Sequence, residues 1–291
     1  MPVAKTFTVI RVAPGFIGMQ QNAWDMKIRM DITLDPTLGC GQAHRWRKEG
    51  DVWTGVIGNE VVDMVQLPDG VEVRGSDRRS DIERYLGGED DLDLIISEIS
   101  EADPYVASLA SECPGMRILR QEPWECLATY VLATNANVAR IGKMVESVCD
   151  HFGTDLGRRH AFPTPGQILD GQEELPECRL GFREERFLIL AERAESGDID
   201  PYGMRELDYR ECVTALKDIK GVGPKVADCV ALFAFGHLNA FPVDARIEKV
   251  MESMYGITGS YAKVSGYGME RFGRYAGYAQ EFLYHSKFIG Q

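Results

Sequence analysis

Between Lys220 and Cys229 the chain reads KGVGPKVADC, two glycines and a proline in a tight turn followed by a lysine in the first turn of a helix. A helix N-terminus carries partial positive charge and disfavours a cation. That environment, together with burial, favours a neutral amine, the form that acts as a nucleophile. Lys225, Cys229 and Phe233 fall at i, i+4 and i+8, so an amine, a thiol and an aromatic ring share one stripe of the helix. The ordinary reading of that stripe is a solvated lysine above two half-buried residues. Asp244, 19 residues beyond Lys225 in NAFPVDARIEKVM, follows Pro242 and opens a further helix. Aspartate suits the N-cap there. A carboxylate held by a cap also keeps its place and charge, and can stabilise a cationic transition state.

Two helices must position this lysine. YRECVTALKDI places Cys212, Val213, Leu216 and Ile219 on one apolar face, and Val226, Ala227, Val230, Ala231 and Ala234 do the same after the turn. Joined by KGVGP, they read as a helix-hairpin-helix over about 206–236. Gly221 and Gly223 permit positive φ and close backbone approach, and Pro224 suits a first helical position. The N–H groups of the turn and of the second helix offer a site for a DNA phosphate. A plain αα-corner fits the same pattern.

The first third of the chain reads as strands: FTVIRV, MKIRMDITL, VWTGVIG, EVVDMVQL and VEVRG are β-branched and partly alternating. Gly39, Gly50–Asp51, Gly58–Asn59 and Pro68–Asp69–Gly70 separate them, which predicts an antiparallel sheet with one buried face. From about residue 80 the period becomes helical, in DIERYL and DLDLIISEIS, then over 123–133, 138–152, 182–196, 206–219, 225–236, 244–255 and 271–286. Residues 153–178 form the most irregular stretch, and the domain boundary is placed near residue 115, at CPGM. The expectation is therefore an α+β protein, with a sheet domain and flanking helices in 1–115 and a helical domain in 116–291.

Composition sets bounds on the chemistry. The 291 residues are 44% hydrophobic and 26% charged, ordinary usage for a folded protein, without a run long enough to span a bilayer. MPVAKTFTVIRVAPG lacks an uninterrupted apolar core, so an intracellular location is expected, in cytoplasm or nucleoid, or in a nucleus. Seven cysteines are scattered without a CxxC pair, a histidine cluster at zinc-ligand spacing or a cluster-binding run, so no metal and no cofactor is expected. A net charge of −13 argues against a nucleic-acid partner, but its distribution is uneven. Residues 205–291 carry 11 basic and 10 acidic side chains, against 21 and 35 in residues 1–204. A DNA surface would therefore be a local patch.

GVGPKVADC followed by PVD resembles the Gly/Pro-rich loop and aspartate of the helix-hairpin-helix (HhH-GPD) DNA glycosylase superfamily. The lysine and cysteine within it are similar to those of its 8-oxoguanine DNA glycosylase/AP lyase family. GQAHRWR and WTGVI resemble that family's N-terminal domain, RILRQEPWECLATYVLATNANVARI its central helical segment, and YAGYAQEFLYHS its last helix, in the family's order over more than 200 residues. The resemblance implies a TBP-like antiparallel sheet domain, a helical HhH-GPD domain, and a monomer acting on double-stranded DNA that contains 8-oxoguanine opposite cytosine. It assigns Lys225 to attack on C1′ of a flipped nucleotide, with a Schiff base and β-elimination following, and Asp244 to stabilising the cationic sugar. Extrusion is required because C1′ and the base edge are inaccessible in a duplex.

For the base pocket, Gly41 matches the glycine whose carbonyl accepts the N7–H that 8-oxoguanine has and guanine lacks. Gln280 matches the glutamine that reads the Watson–Crick edge, Cys229 and Tyr284 the pair that sandwiches the base, and Phe233 a methionine beside them. Tyr284 replaces the usual phenylalanine. On the opposite strand, Asn135 matches the asparagine that fills the vacated space, Arg140 and Arg183 the arginines that hold the estranged cytosine, and Phe182 a tyrosine wedge. Gly221 and Gly223 belong to the phosphate-binding hairpin. Arg246 stands where a histidine touches phosphate, and Ala136 interrupts the asparagine run. Two alternatives stay open: a glycosylase of the same superfamily for another lesion, or a non-catalytic helix-hairpin-helix binding module. The second requires neither Lys225 nor Asp244.

Overall fold

The turn-forming residues of the first third close an antiparallel sheet. The computed structural model describes residues 26–285, and the expected strand FTVIRV lies outside them. Strand β1 (Met26–Arg29) is followed by the short helix α1 (Leu34–Gly39), then by β2 (Arg47–Glu49), β3 (Val52–Ile57), β4 (Glu60–Leu67) and β5 (Gly70–Arg74), in spatial order β1-β5-β4-β3-β2. Ile57 pairs with Glu60 and Leu67 with Gly70, so both hairpins turn through two residues. The first uses Gly58 at φ +57°. The inner face buries Ile28, Trp53, Val62, Met64, Val71 and Val73 against Ile82 and Leu86. Gly55 leaves room for Trp46, since a Cβ there would lie 2.6 Å from its ring. On the outer face Asp63 is fully buried, between Thr54 Oγ1 at 2.7 Å and Arg74 Nε at 3.0 Å.

The strand expected through MKIRMDITL stops at Arg29. Tertiary partners take the next backbone groups: Thr33 N–H donates to Gly115 O at 2.8 Å and Leu34 N–H to Gln66 Oε1 at 2.8 Å, which turns the chain into α1.

The helices run α2 (Arg79–Tyr85), α3 (Leu92–Ala102), α4 (Pro104–Glu112), α5 (Pro123–Leu132), α6 (Val138–Phe152), α7 (Pro165–Asp170), α8 (Glu184–Glu195), α9 (Tyr209–Lys217), α10 (Pro224–Phe233), α11 (Ala245–Tyr255), α12 (Tyr261–Phe272) and α13 (Ala276–His285). Three of these, α4, α7 and α12, have no counterpart in the periodicity, and α7 lies in the stretch 153–178 read as irregular, where Thr164 and Gln167 form a capping box. Pro104 reads as a break but sits at the helix start, where Asp103 caps Tyr105 and Val106. In α12, Gly266 and Gly268 blur the pattern, and Gly268 is small because the Phe241 ring packs on it, 2.5 Å from where a Cβ would lie. The helix expected over 271–286 is broken at Gly273, φ +60°, and α13 begins after one short turn.

Helices α3 and α4, ahead of the expected boundary near residue 115, place Ile95, Ile99 and Val106 in the helical core, while Leu119 beyond it joins the sheet core. The Arg271 guanidinium ties α12 to the cap of α4, donating to Asp103 Oδ2 at 2.8 and 2.6 Å.

Candidate active site

The hairpin and its second helix are built from local signals. A capping box between Asp208 and Glu211 starts α9, and Pro224 is the first residue of α10. Gly221 has φ +93°, and a Cβ there would meet Arg186 Cδ at 2.8 Å, so glycine is required twice over. Gly223 differs from expectation. Its φ of −89° and ψ of 177° are extended, and nothing lies within 4 Å of where its Cβ would sit. Its backbone is open to an incoming group. Asp228, one turn after Lys225, is buried and accepts from Tyr209 Oη at 2.7 Å and from Tyr261 Oη. Burial raises the Asp228 carboxyl above the usual range, and the hydroxyls only partly offset this. The pair of tyrosines fixes α10 against α9 and α12, and with it the direction of Lys225.

Lys225 Nζ lies 5.2 Å from the centroid of the Tyr130 ring and donates no hydrogen bond to a described residue. Tyr130 stacks on Phe233 at 5.8 Å and donates to Gln42 O at 3.1 Å. Asp244 caps α11, its Oδ1 accepting from the Arg246 and Ile247 N–H groups at 3.0 and 2.9 Å. Cap and second role are compatible, because the capped carboxylate borders the same cavity as the lysine.

That cavity holds about 280 Å³ and brings together Gly41, Lys225, Cys229, Phe233, Asp244, Gln280 and Tyr284, every residue expected at the reacting base. Gly41 has φ +92° and is held by its neighbour. The buried Gln42 side chain donates to Thr37 O and Arg117 O at 2.8 and 2.9 Å and accepts from Leu119 N–H at 2.8 Å. Gln280 is buried, and its Oε1 has no partner among the described residues. Such an orphaned acceptor costs free energy unless a ligand satisfies it. The α13 helix carrying Gln280 packs tightly because Gly277 admits Leu232, 2.5 Å from where a Cβ would lie. Burial pushes the Cys229 thiol up to about 11, against the opposing pull of the Lys225 charge, so the sulfur is a neutral packing surface.

Three cavity groups were not singled out from the sequence. His44 is half-buried, but both ring nitrogens are enclosed and lack partners among the described residues, and burial with the Lys225 charge brings it down to about 4. Tyr130 forms the floor beneath the lysine. Glu281 is buried and raised to about 7, chiefly by desolvation. The signal for Glu281 was a lone carboxylate in the otherwise apolar run AGYAQEFLYH.

The residues expected on the opposite strand lie at or outside the rim. Asn135 is exposed between α5 and α6 with φ +53°, a conformation asparagine tolerates. Arg140 is exposed on the first turn of α6, and Phe182 is 54% exposed. Arg183 is only 2% exposed and is already committed: its Nε donates to Thr134 O at 2.9 Å, Nη2 to Asn135 O at 3.0 Å and Nη1 to Leu180 O at 3.3 Å. Its first observed effect is to shape the Asn135 loop. The Phe182 ring has two guanidinium groups near its centroid, those of Arg183 and Arg186, at 4.3 and 5.4 Å. Arg246 stacks over Tyr284 at 5.0 Å.

A hairpin that starts a lysine-bearing helix, set against a capped aspartate across a base-sized cavity, defines the class of helix-hairpin-helix DNA glycosylases. The family model for the 8-oxoguanine DNA glycosylase N-terminal domain matches residues 26–127. The N-glycosylase/DNA lyase OGG1 of Arabidopsis thaliana is 30% identical over 287 residues, covering 90% of this chain and 79% of the plant protein. Among solved structures, the Clostridium acetobutylicum 8-oxoguanine glycosylase/lyase bound to duplex DNA with cytosine opposite 8-oxoguanine superposes with a TM-score of 0.83 at 28% identity, over 90% of this chain and 97% of that one. MBOgg1 in complex with a low-affinity DNA ligand superposes with a TM-score of 0.86 at 28% identity, over 94% and 98%. The chain belongs to the 8-oxoguanine DNA glycosylase/lyase family. Among the described residues no helix is long and apolar enough to cross a membrane.

Proposed function

We propose that the protein excises 8-oxoguanine lying opposite cytosine in duplex DNA and then cleaves the strand, as a monomer inside the cell. The flipped base enters the cavity between Cys229 and Tyr284. The Gly41 carbonyl accepts the N7–H of the lesion and the Gln280 amide reads its Watson–Crick edge. A buried acceptor without a proton to meet it would penalise guanine by several kcal/mol in favourable cases.

Lys225 Nζ then bonds to C1′ while the bond from C1′ to the base breaks, and the electron pair leaves with the base. Asp244 faces the positive charge that develops on the sugar. Opening of the sugar ring gives an iminium between Nζ and C1′, and loss of a C2′ proton expels the 3′ phosphate. Gly221 and Gly223 offer backbone N–H groups and Arg246 its charge to the phosphates, while Asn135, Arg140 and Phe182 face the space left around the estranged cytosine and Arg183, bonded to the Thr134 and Asn135 carbonyls, holds the Asn135 loop beside it.

The observation that carries this reading is the convergence of Lys225, Asp244 and the unpartnered Gln280 Oε1 on one cavity. Borohydride trapping on a duplex with 8-oxoguanine opposite cytosine tests it. A covalent adduct is expected with the natural protein and none with Lys225→Gln. No adduct at all, or one that survives Lys225→Gln, removes the Schiff-base mechanism.

A further inference from the structure

Cys40, Glu281 and His285 come together beside the cavity although the first lies at the start of the chain and the others at its end. One donor atom from each, a sulfur, a carboxylate oxygen and an imidazole nitrogen, lies within 4.8 Å of the others. Cys40 and Glu281 are buried, at 8% and 5% exposure, and His285 is half-buried at the end of α13. The His285 Nε2 is enclosed and has no partner among the described residues, while the Pro36 carbonyl acts on the ring and accounts for the other nitrogen. A ring proton held by a backbone carbonyl leaves a directed lone pair on Nε2, the arrangement found in metal-ligating histidines.

We propose that Cys40, Glu281 and His285 bind a divalent transition metal ion of the zinc type. A thiolate with an imidazole selects zinc over magnesium or calcium, which take oxygen ligands. Three protein donors leave a fourth position for water. Tetrahedral zinc needs donors about 3.5 Å apart, so side-chain rotation closes the triad by about 1 Å. The Cys40 thiol, which donates to Thr37 O at 3.4 Å, releases its proton to solvent when the ion binds; the resulting thiolate and the carboxylate together neutralise a dication in a buried site, where either alone would be costly. Arg246 opposes it, since its charge already acts on His285. One positive charge acting through the imidazole is outweighed by two anionic donors bonded directly to the ion.

The site has a structural consequence. Each donor adjoins a residue of the base pocket: Cys40 precedes Gly41, Glu281 follows Gln280, and His285 follows Tyr284. A bound ion ties the Gly41 loop to α13, the two walls that recognise the base. The site does not depend on the excision reaction and is tested without it.

The test titrates cobalt(II) alone into the chelator-treated, untagged full chain and reads the thiolate-to-cobalt charge-transfer band. One equivalent is expected to bind with that band and to be displaced by zinc(II). Cys40→Ser abolishes the band, Cys229→Ser keeps it, and Glu281→Gln and His285→Ala each weaken binding by about tenfold or more. Thermal melts guard against a misfolded variant: one equivalent of zinc(II) raises the melting temperature of the natural protein but not of His285→Ala, whose site is at a half-exposed helix end. No thiolate band, a band that survives Cys40→Ser, or an equal zinc(II) shift in His285→Ala overturns the proposal.

Discussion

On the function proposed above, Asp244 performs two separable tasks, and replacing it with asparagine and with alanine should divide them. As a cap its Oδ1 accepts two backbone N–H groups, at 3.0 and 2.9 Å. Asparagine keeps an oxygen there, whereas alanine forfeits about 1 kcal/mol. For a chain of this size that is a melting-temperature loss of about 2–4 °C. As a charge bordering the cavity, the carboxylate is worth more. At about 5 Å from a sugar cation and an effective dielectric of about 20, it contributes about 3 kcal/mol. That corresponds to a rate loss of roughly 100-fold or somewhat more for either substitution. Single-turnover excision of 8-oxoguanine, read beside thermal melts, gives both quantities. Asp244→Asn should melt close to the natural protein and excise as poorly as Asp244→Ala. An asparagine variant with near-normal excision would refute the charge argument, and one that melts as low as alanine would refute the cap.

Gln280→Ala should lower kcat/KM for 8-oxoguanine by about 10- to 100-fold, because the proposed function makes its unpartnered Oε1 the acceptor that reads the base. Strand cleavage at a preformed abasic site, which has no base to read, should change little, and an equal loss on both substrates would contradict the assignment. His44 is held near 4 in the folded chain and takes up a proton near 6.5 when unfolded, so its contribution is intact above about 6.5 and is lost as pH falls. The loss should reach roughly 2 kcal/mol by about pH 5. Urea melts at both ends of that range should show a smaller loss in His44→Gln, and an identical loss would mean the imidazole is not excluded from water. DNA affinity should fall about tenfold or more between about 50 and 200 mM salt, through a few phosphate contacts. A flat fluorescence-anisotropy titration would refute the local basic patch.

Much of the site was legible locally. The hairpin, the start of α10 at Pro224, the stripe of Lys225, Cys229 and Phe233, and the cap at Asp244 all follow from turn chemistry and helical spacing, which act over a few residues. Segments failed where distant groups intervened. Pairing of Thr33 with Gly115 and of Leu34 with Gln66 ends β1 early, and the Phe241 ring lets a glycine-bearing segment form α12. Gly221 and Gly223 were read as permitting positive φ and close backbone approach; Gly223 has an extended conformation instead of a positive φ, with open space where a Cβ would lie.

The KGVGPKVADC stretch by itself determined that a lysine is aimed from a helix start, and the resemblance carried by GQAHRWR and YAGYAQEFLYHS supplied a substrate to look for. Only the tertiary structure decided that Gly41 and Gln280 face one cavity, that Arg183 is spent on the carbonyls of the Asn135 loop, that His44 and Glu281 line the same cavity as the lysine, and that Cys40 meets Glu281 and His285. The physical reason is range. Caps and turns are satisfied by neighbours in the chain, whereas burial, desolvation and the meeting of donors arise only when segments more than 200 residues apart are packed together.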